Sequence, residues 1–201
     1  NDQLQTELKF LKSQYHPHFL FNALNTVYFQ IDESNKAPRR TLEMISELLR
    51  YQLYGGNQKV SILQEIDYLK TYIALRKLRM SERLRLRVEF PPELNELNIY
   101  PLLFLPLVEN AFKYVGGDYQ LDIIMKWENN RISLFIRNSI PELSAEDEAL
   151  RKSVDERQRK GIGLVNLRRR LSLLYPNKHR LETRKEETEF VAELMIEIED
   201  I

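Results

Sequence analysis

Apolar residues near the start of the chain recur at helical intervals. Leu4, Leu8, Leu11, Tyr15 and His18 are spaced 4, 3, 4 and 3, a heptad-like stripe. Pro17 interrupts it and predicts a kink or a loosened turn just before it. Phe19, Leu20, Phe21, Leu24, Val27, Tyr28 and Phe29 continue the apolar segment, and Lys36 to Arg39, with Pro38, reads as a turn. A second helix then places Leu42, Ile45, Leu48, Leu49 and Leu53 on one side and stops at Gly55-Gly56. Two antiparallel helices bury little by themselves, so the pattern predicts pairing with a second copy in a four-helix bundle.

A different pattern starts near Ser61. Ser61-Ile62-Leu63-Gln64 is a capping box opening a helix that carries Leu63, Ile66, Leu69, Ile73 and Leu78. Strict alternation follows: Leu84, Leu86, Val88 and Phe90 on one side, Arg85, Arg87 and Glu89 on the other, a half-buried strand closed by Pro91-Pro92. Leu102 to Val115 reads as a largely buried helix despite Pro106. Leu121-Ile123-Met125-Trp127 and Ile132-Leu134-Ile136 alternate again, with Glu128 to Arg131 as a hairpin turn. Residues 141–160 are charged and poor in apolar residues, which fits a solvated loop or a flap over a site. Gly163 to Tyr175 reads as a helix stopped by Pro176, and two strands follow, the last alternating Phe190, Ala192, Leu194, Ile196 and Ile198. The whole predicts an α+β fold: a helical hairpin, then a mostly antiparallel sheet with helices on one face.

Charge and composition narrow the functional classes. Lys+Arg and Asp+Glu each number 30, so the formal net charge is zero and the net basic footprint of a nucleic-acid binder is absent. There is no cysteine, hence no disulfide framework or thiolate metal site. No apolar run approaches the roughly 20 residues that span a bilayer. The chain opens at Asn1 inside a helical pattern, which predicts a preceding segment.

Three short motifs offer chemistry. Only three histidines occur, and two flank Pro17 in Gln14-Tyr15-His16-Pro17-His18-Phe19-Leu20-Phe21-Asn22. A neutral imidazole, of reference pKa about 6.5, is a good nucleophile near neutral pH; a histidine packed on an apolar stripe is the plainer alternative. Glu109, Asn110 and Lys113 share a helix surface and supply an acid, an amide oxygen and an ammonium, suited to Mg and phosphate. A simple helix ion pair is the plainer reading there. Lys160-Gly161-Ile162-Gly163-Leu164 precedes a helix, where glycines let backbone N–H groups approach an anion; a mere loop-to-helix joint is the alternative.

Together these motifs resemble a known family. His16-Pro17-His18-Phe19-Leu20-Phe21-Asn22, preceded by Leu11-Lys12 and Gln14, resembles the phosphoacceptor motif of LytS/YehU-type sensor histidine kinases. Pro106 to Lys113 is similar to the N box of the GHKL ATPase fold. Gly161 to Leu167, with Arg170-Leu171, is similar to a later glycine box of that fold. The resemblance implies a helical dimerisation hairpin over 1–57, a four-helix bundle in the homodimer, followed by a GHKL (Bergerat) α/β sandwich over 58–201. It implies ATP and Mg as cofactors. His18 matches the phosphoacceptor, Glu109 a general base, Asn110 the Mg-holding residue and Lys113 a phosphate contact. Gly161 and Gly163, with Leu164 and Asn166, match the nucleotide-binding flap. The pattern departs at Asn138-Ser139-Ile140, where GHKL proteins usually carry Asp-x-Gly, and at Tyr114, where many relatives have histidine. Asn138 keeps an acceptor oxygen for the adenine amino group.

The resemblance further implies transfer of a phosphoryl group from His18 to an aspartate on a response-regulator receiver domain. It implies the cytoplasmic portion of a bacterial inner-membrane sensor, tethered by a segment before Asn1, with no direct nucleic-acid contact. Asn22, one helical turn after His18, is a candidate for orienting water or a packing amide, and Gly55-Gly56 is a candidate hinge. Rival readings are a non-catalytic dimeric pseudokinase and a GHKL ATPase that does not phosphorylate itself.

Overall fold

The computed structural model describes residues 17–54, 58–92, 94, 97–142 and 162–198. The stripe from Leu4 to Tyr15, His16, the turn before Pro17, Gly55-Gly56, Gly161 and most of 141–160 lie outside the described residues.

Helices α1 (Pro17–Gln30) and α2 (Lys36–Tyr54) form an antiparallel hairpin. The turn between them lies at 31–35, not at Lys36 to Arg39. Pro38 sits in the first turn of α2, where its missing N–H would have had no intrahelical partner anyway. Arg39 fastens the corner by donating Nε and Nη2 to the Ile31 carbonyl at 3.1 and 2.8 Å. At the open end, the rings of Phe21 and Tyr54 stack at 6.2 Å. Helix α2 buries Met44 and Leu48, whereas α1 buries no residue and leaves Phe19 and Phe29 71% and 79% exposed.

The rest is built on one five-stranded sheet. After β1 (Val60–Ser61) come α3 (Ile62–Lys77), β2 (Arg85–Glu89), β3 (Asn98–Ile99) and α4 (Leu105–Tyr114). Strands β4 (Gln120–Glu128) and β5 (Arg131–Ser139), helix α5 (Ile162–Leu174), and strands β6 (His179–Lys185) and β7 (Glu189–Glu197) complete it. The strand order is β2-β4-β5-β7-β6, with β2 parallel to β4 and every other pair antiparallel. The β4–β5 turn is Asn129-Asn130, both at positive φ (51° and 60°). Two such residues make the primed turn whose twist suits a two-residue hairpin, and asparagine tolerates that region.

Alternation sends Leu121, Ile123 and Met125 of β4, Ile132, Leu134 and Ile136 of β5, and Ala192, Leu194 and Ile196 of β7 into one core with α3, α4 and α5. The opposite sheet face is open, with Ile124, Phe135 and Met195 half-buried and the Asp122–Arg137 ion pair at 2.6 Å.

The capping box of α3 forms as expected. Ser61 Oγ accepts from the Leu63 N–H, and Gln64 accepts from the Ser61 N–H, both at 3.2 Å. The buried face is Ile62, Glu65, Ile66, Tyr68, Leu69 and Ile73. Leu63 lies on the helix as the sequence reading has it but is 52% exposed, a third of a turn from Ile62; Leu78, read as part of the helix, is instead its C-cap residue and is 62% exposed. The apolar run from Leu102 is also not helical throughout, because α4 begins only at Leu105, after a bend in which Leu102 has φ 60°. Pro106 is thereby in the first turn, where it is tolerated. The short β1–β3 pairing, Val60 with Ile99 and Ser61 with Asn98, is a feature the sequence reading missed.

Candidate active site

Helix α4 is two-sided. Leu105, Leu107, Val108, Ala111 and Phe112 are buried. That packing turns Glu109 and Lys113 out to solvent and leaves Asn110 half-buried on the same side. The three polar residues read from the sequence are therefore brought together by the core itself. Although Glu109 is exposed, the neighbouring α3 side chains take enough water from its carboxyl to push it above its ordinary value, opposed by the positive charge of Arg76. Tyr68 and Tyr72 of α3 also lie near Glu109. Burial first, then that carboxylate among other charges, raises both phenols, Tyr68 to about 12. The Arg76 guanidinium lies over the Phe112 ring at 5.7 Å, and its buried Nε has no hydrogen-bond partner among the described residues. Sequence reasoning missed Arg76, since an arginine in an amphipathic helix looks like any solvated one.

The end of β5 lies against the C-terminal end of α4. Ser139 Oγ donates to the Gly116 carbonyl at 2.6 Å and accepts from the Gln120 N–H at 2.9 Å. The Gly116 N–H donates to the Ser139 carbonyl at 3.0 Å. Glycine is required in this turn: a Cβ on Gly116 would meet Pro141 at 2.9 Å, and Gly117 has φ +60°. Asn138 is fully enclosed beside it. Its Nδ2 donates to the Ser139 carbonyl at 3.3 Å, and its Oδ1 is a buried acceptor without a partner among the described residues. Buried acceptors are normally satisfied, so an unfilled one is notable. An exocyclic amino donor such as that of adenine would satisfy it.

Gly163 lies in the first turn of α5, exposed, and a Cβ there would meet nothing within 4 Å. Among the described residues, packing thus gives no reason for glycine at 163. Leu164 is half-buried and Asn166 exposed.

His18 is exposed on the first turn of α1. Asn22, four residues on, places its side-chain nitrogen 3.1 Å from His18 Nδ1. Turning the amide over would instead present its oxygen to an Nδ1–H and leave the Nε2 lone pair free. Among the described residues, no hydrogen bond or ion pair joins His18 to Glu109, Asn110 or Lys113. Nor do three acidic or histidine side chains gather to hold a metal ion among them. The donor set nonetheless fits Mg, which keeps several waters and takes substrate phosphates beside one or two protein oxygens. No helix among the described residues is long and apolar enough to cross a membrane.

A sequence model of the family described as Histidine kinase matches residues 6–84, the stretch that contains His18. The sensor protein kinase HptS of Staphylococcus aureus (strain USA300) is 29% identical over 180 residues, 87% of this chain. The same protein from strain NCTC 8325 / PS 47 matches equally. The chain spans 35% of the length of each of these curated relatives. Among solved structures, the histidine kinase domain of the blue-light activated histidine kinase from Erythrobacter litoralis EL346 aligns with a TM-score of 0.49 at 13% identity, over 98% of this chain and 93% of that one. The Acinetobacter baumannii histidine kinase AdeS aligns with a TM-score of 0.46 at 12% identity, over 94% and 98%. Residues 6–84 thus carry the sequence pattern of the histidine kinase family, and most of the chain is similar to a sensor protein kinase.

Proposed function

We propose that this chain is the catalytic portion of a two-component sensor histidine kinase, which phosphorylates His18 with Mg-ATP. The observation that supports the reading is the match of residues 6–84 to the family described as Histidine kinase, a stretch in which His18 is exposed. A neutral ring nitrogen of His18 attacks the γ-phosphorus, the bond to the bridging oxygen breaks, and ADP departs with the electron pair. Asn22 holds the Nδ1 side of the ring, and Glu109 orients the imidazole or takes up the proton it releases after transfer. Lys113 meets phosphate charge, Asn138 Oδ1 accepts from the adenine amino group, and Gly161, Gly163, Leu164 and Asn166 close over the triphosphate. When bound, Mg would be held by Asn110 and would neutralise charge on the phosphates.

The apolar, unburied α1 supports a homodimer in which two hairpins make a four-helix bundle over 1–57, with the GHKL-type ATP-binding domain at 58–201. The phosphoryl group would then pass to an aspartate of a response-regulator receiver domain. The same reading puts the chain on the cytoplasmic side of a bacterial inner membrane, tethered by a segment outside these residues.

The test is incubation with Mg and γ-labelled ATP, beside His18→Gln and Asn110→Ala. Acid-labile, base-stable label on the parent and on neither variant is the expected outcome. Label persisting in His18→Gln would refute the assignment of His18. Nucleotide binding without any label would make the chain a binding module, not a kinase.

A further inference from the structure

Glu65 is fully enclosed, yet among the described residues it makes no ion pair. Its Oε2 instead takes two hydrogen bonds from opposite sides. The Tyr51 hydroxyl of α2 donates at 2.7 Å, and the backbone N–H of Leu102 donates at 3.0 Å. One carboxylate oxygen therefore joins the hairpin that carries His18 to the bend that leads into α4.

Both ends of this link are otherwise well defined. On the hairpin side, the Tyr51 ring stacks on Tyr68 of α3 at 4.6 Å and 27°, and Gln52 Nε2 donates to the Tyr68 hydroxyl at 2.6 Å. On the other side, Leu102 has φ 60°, a conformation that leucine rarely adopts and that its surroundings must hold. Arg170 of α5 donates to the Pro101 carbonyl at 2.7 Å and to that of Leu102 at 3.4 Å. The Tyr100 N–H donates to the Tyr175 hydroxyl at 3.2 Å. The bend ends at Phe104, which caps α4 without a side-chain hydrogen bond, so the direction in which α4 sets off is fixed by the bend. Glu109, Asn110 and Lys113 lie one and two turns further on.

We infer that Glu65 is a positioning residue: through it, the docking of α2 sets the attitude of α4, and the nucleotide-facing side chains align only when the hairpin is seated. The inference rests on the nucleotide and phosphoacceptor reading above. Tyr51 supplies the signal, since its hydroxyl leaves with α2. Glu65 then keeps only its contacts to the bend, the backbone of Leu102 and Phe104 and the nearby charge of Arg170, and the restraint on that strained bend changes strength.

A carboxylate that merely braces the bend would affect stability and leave turnover alone, so the test separates binding from turnover. Tyr51→Phe keeps the ring stack and removes only the hydroxyl. In the 201-residue chain it should lower kcat for His18 labelling on the order of tenfold, as coupling between sites commonly does, and keep KM for ATP within about twofold. Glu65→Gln should show the same split, and the double variant should be no worse than Glu65→Gln alone, because the two act as one link. Unchanged kcat in Tyr51→Phe, or losses that multiply in the double variant, would overturn the inference. Backbone hydrogen exchange over 102–107 gives a readout independent of catalysis, and Tyr51→Phe should accelerate it. If the parent chain takes no label, the kinase reading fails by itself; unchanged exchange over 102–107 then refutes the coupling too, and faster exchange sustains it.

Discussion

At the scale of single residues, affinity and stability pull in opposite directions at Asn138. Among the described residues its enclosed Oδ1 has no hydrogen-bond partner, and leaving a buried acceptor unmade costs about 1–3 kcal/mol. Asn138→Leu should therefore raise the melting temperature of the free chain while raising KM for ATP about two- to tenfold, the worth of one hydrogen bond. Calorimetry and nucleotide titration on the same preparation would check both signs; a loss on both counts would make Asn138 an ordinary packing residue. Glu109 offers a pH dependence. Burial holds its carboxyl above the ordinary range, and Arg76 holds it down. A base works only when deprotonated, so activity should rise with pH through that raised value. Removing the opposing charge with Arg76→Gln should move the acid limb of kcat to higher pH. An acid limb that stays in place would detach Arg76 from the base.

Among the elements, the turn from α4 to β4 is the most constrained. Gly117 takes φ +60° against the Ile140 carbonyl, where a Cβ would come within 3.0 Å. Gly117→Ala should cost at least about 1–2 kcal/mol, the usual penalty for a side chain in the left-handed region. Chemical denaturation would measure it, and an unchanged midpoint would mean the turn relaxes freely. How much of each element could be read beforehand depends on where its determinants lie. The β4–β5 hairpin was legible because Asn129-Asn130 and the flanking alternation are local signals, as was the Ser61–Gln64 cap. The motif residues on α4 were legible because the core that orients them is the helix's own apolar stripe. The bend before α4 was not, since Leu102 is turned left-handed by Glu65 and Arg170, which are distant in sequence. Tyr51, Glu65 and Arg76 escaped for a related reason: polar residues on amphipathic helices look solvated until their neighbours are known. The β1–β3 pair is too short to show any alternation.

For the molecule as a whole, the helical hairpin and the sheet-based part meet on α3, the helix whose two ends serve different neighbours. Its first half receives Tyr51 and Gln52, and Arg76 near its last turn faces Glu109 and Phe112. The sheet adds a constraint of another kind. Its single parallel pairing joins Arg85 to Gln120 and Glu89 to Ile124, and the intervening chain contains the whole of α4. Closing so long a loop is slow compared with zipping a hairpin such as β4–β5. Helix α4, which carries the residues proposed to face nucleotide, is thus enclosed by the contact that forms late in folding. Strand β2 also lies at the sheet edge with no fully buried side chain, so it is the first strand to fray. A newly made chain would close the loop around α4 last, and a partly unfolded one would give up that enclosure first.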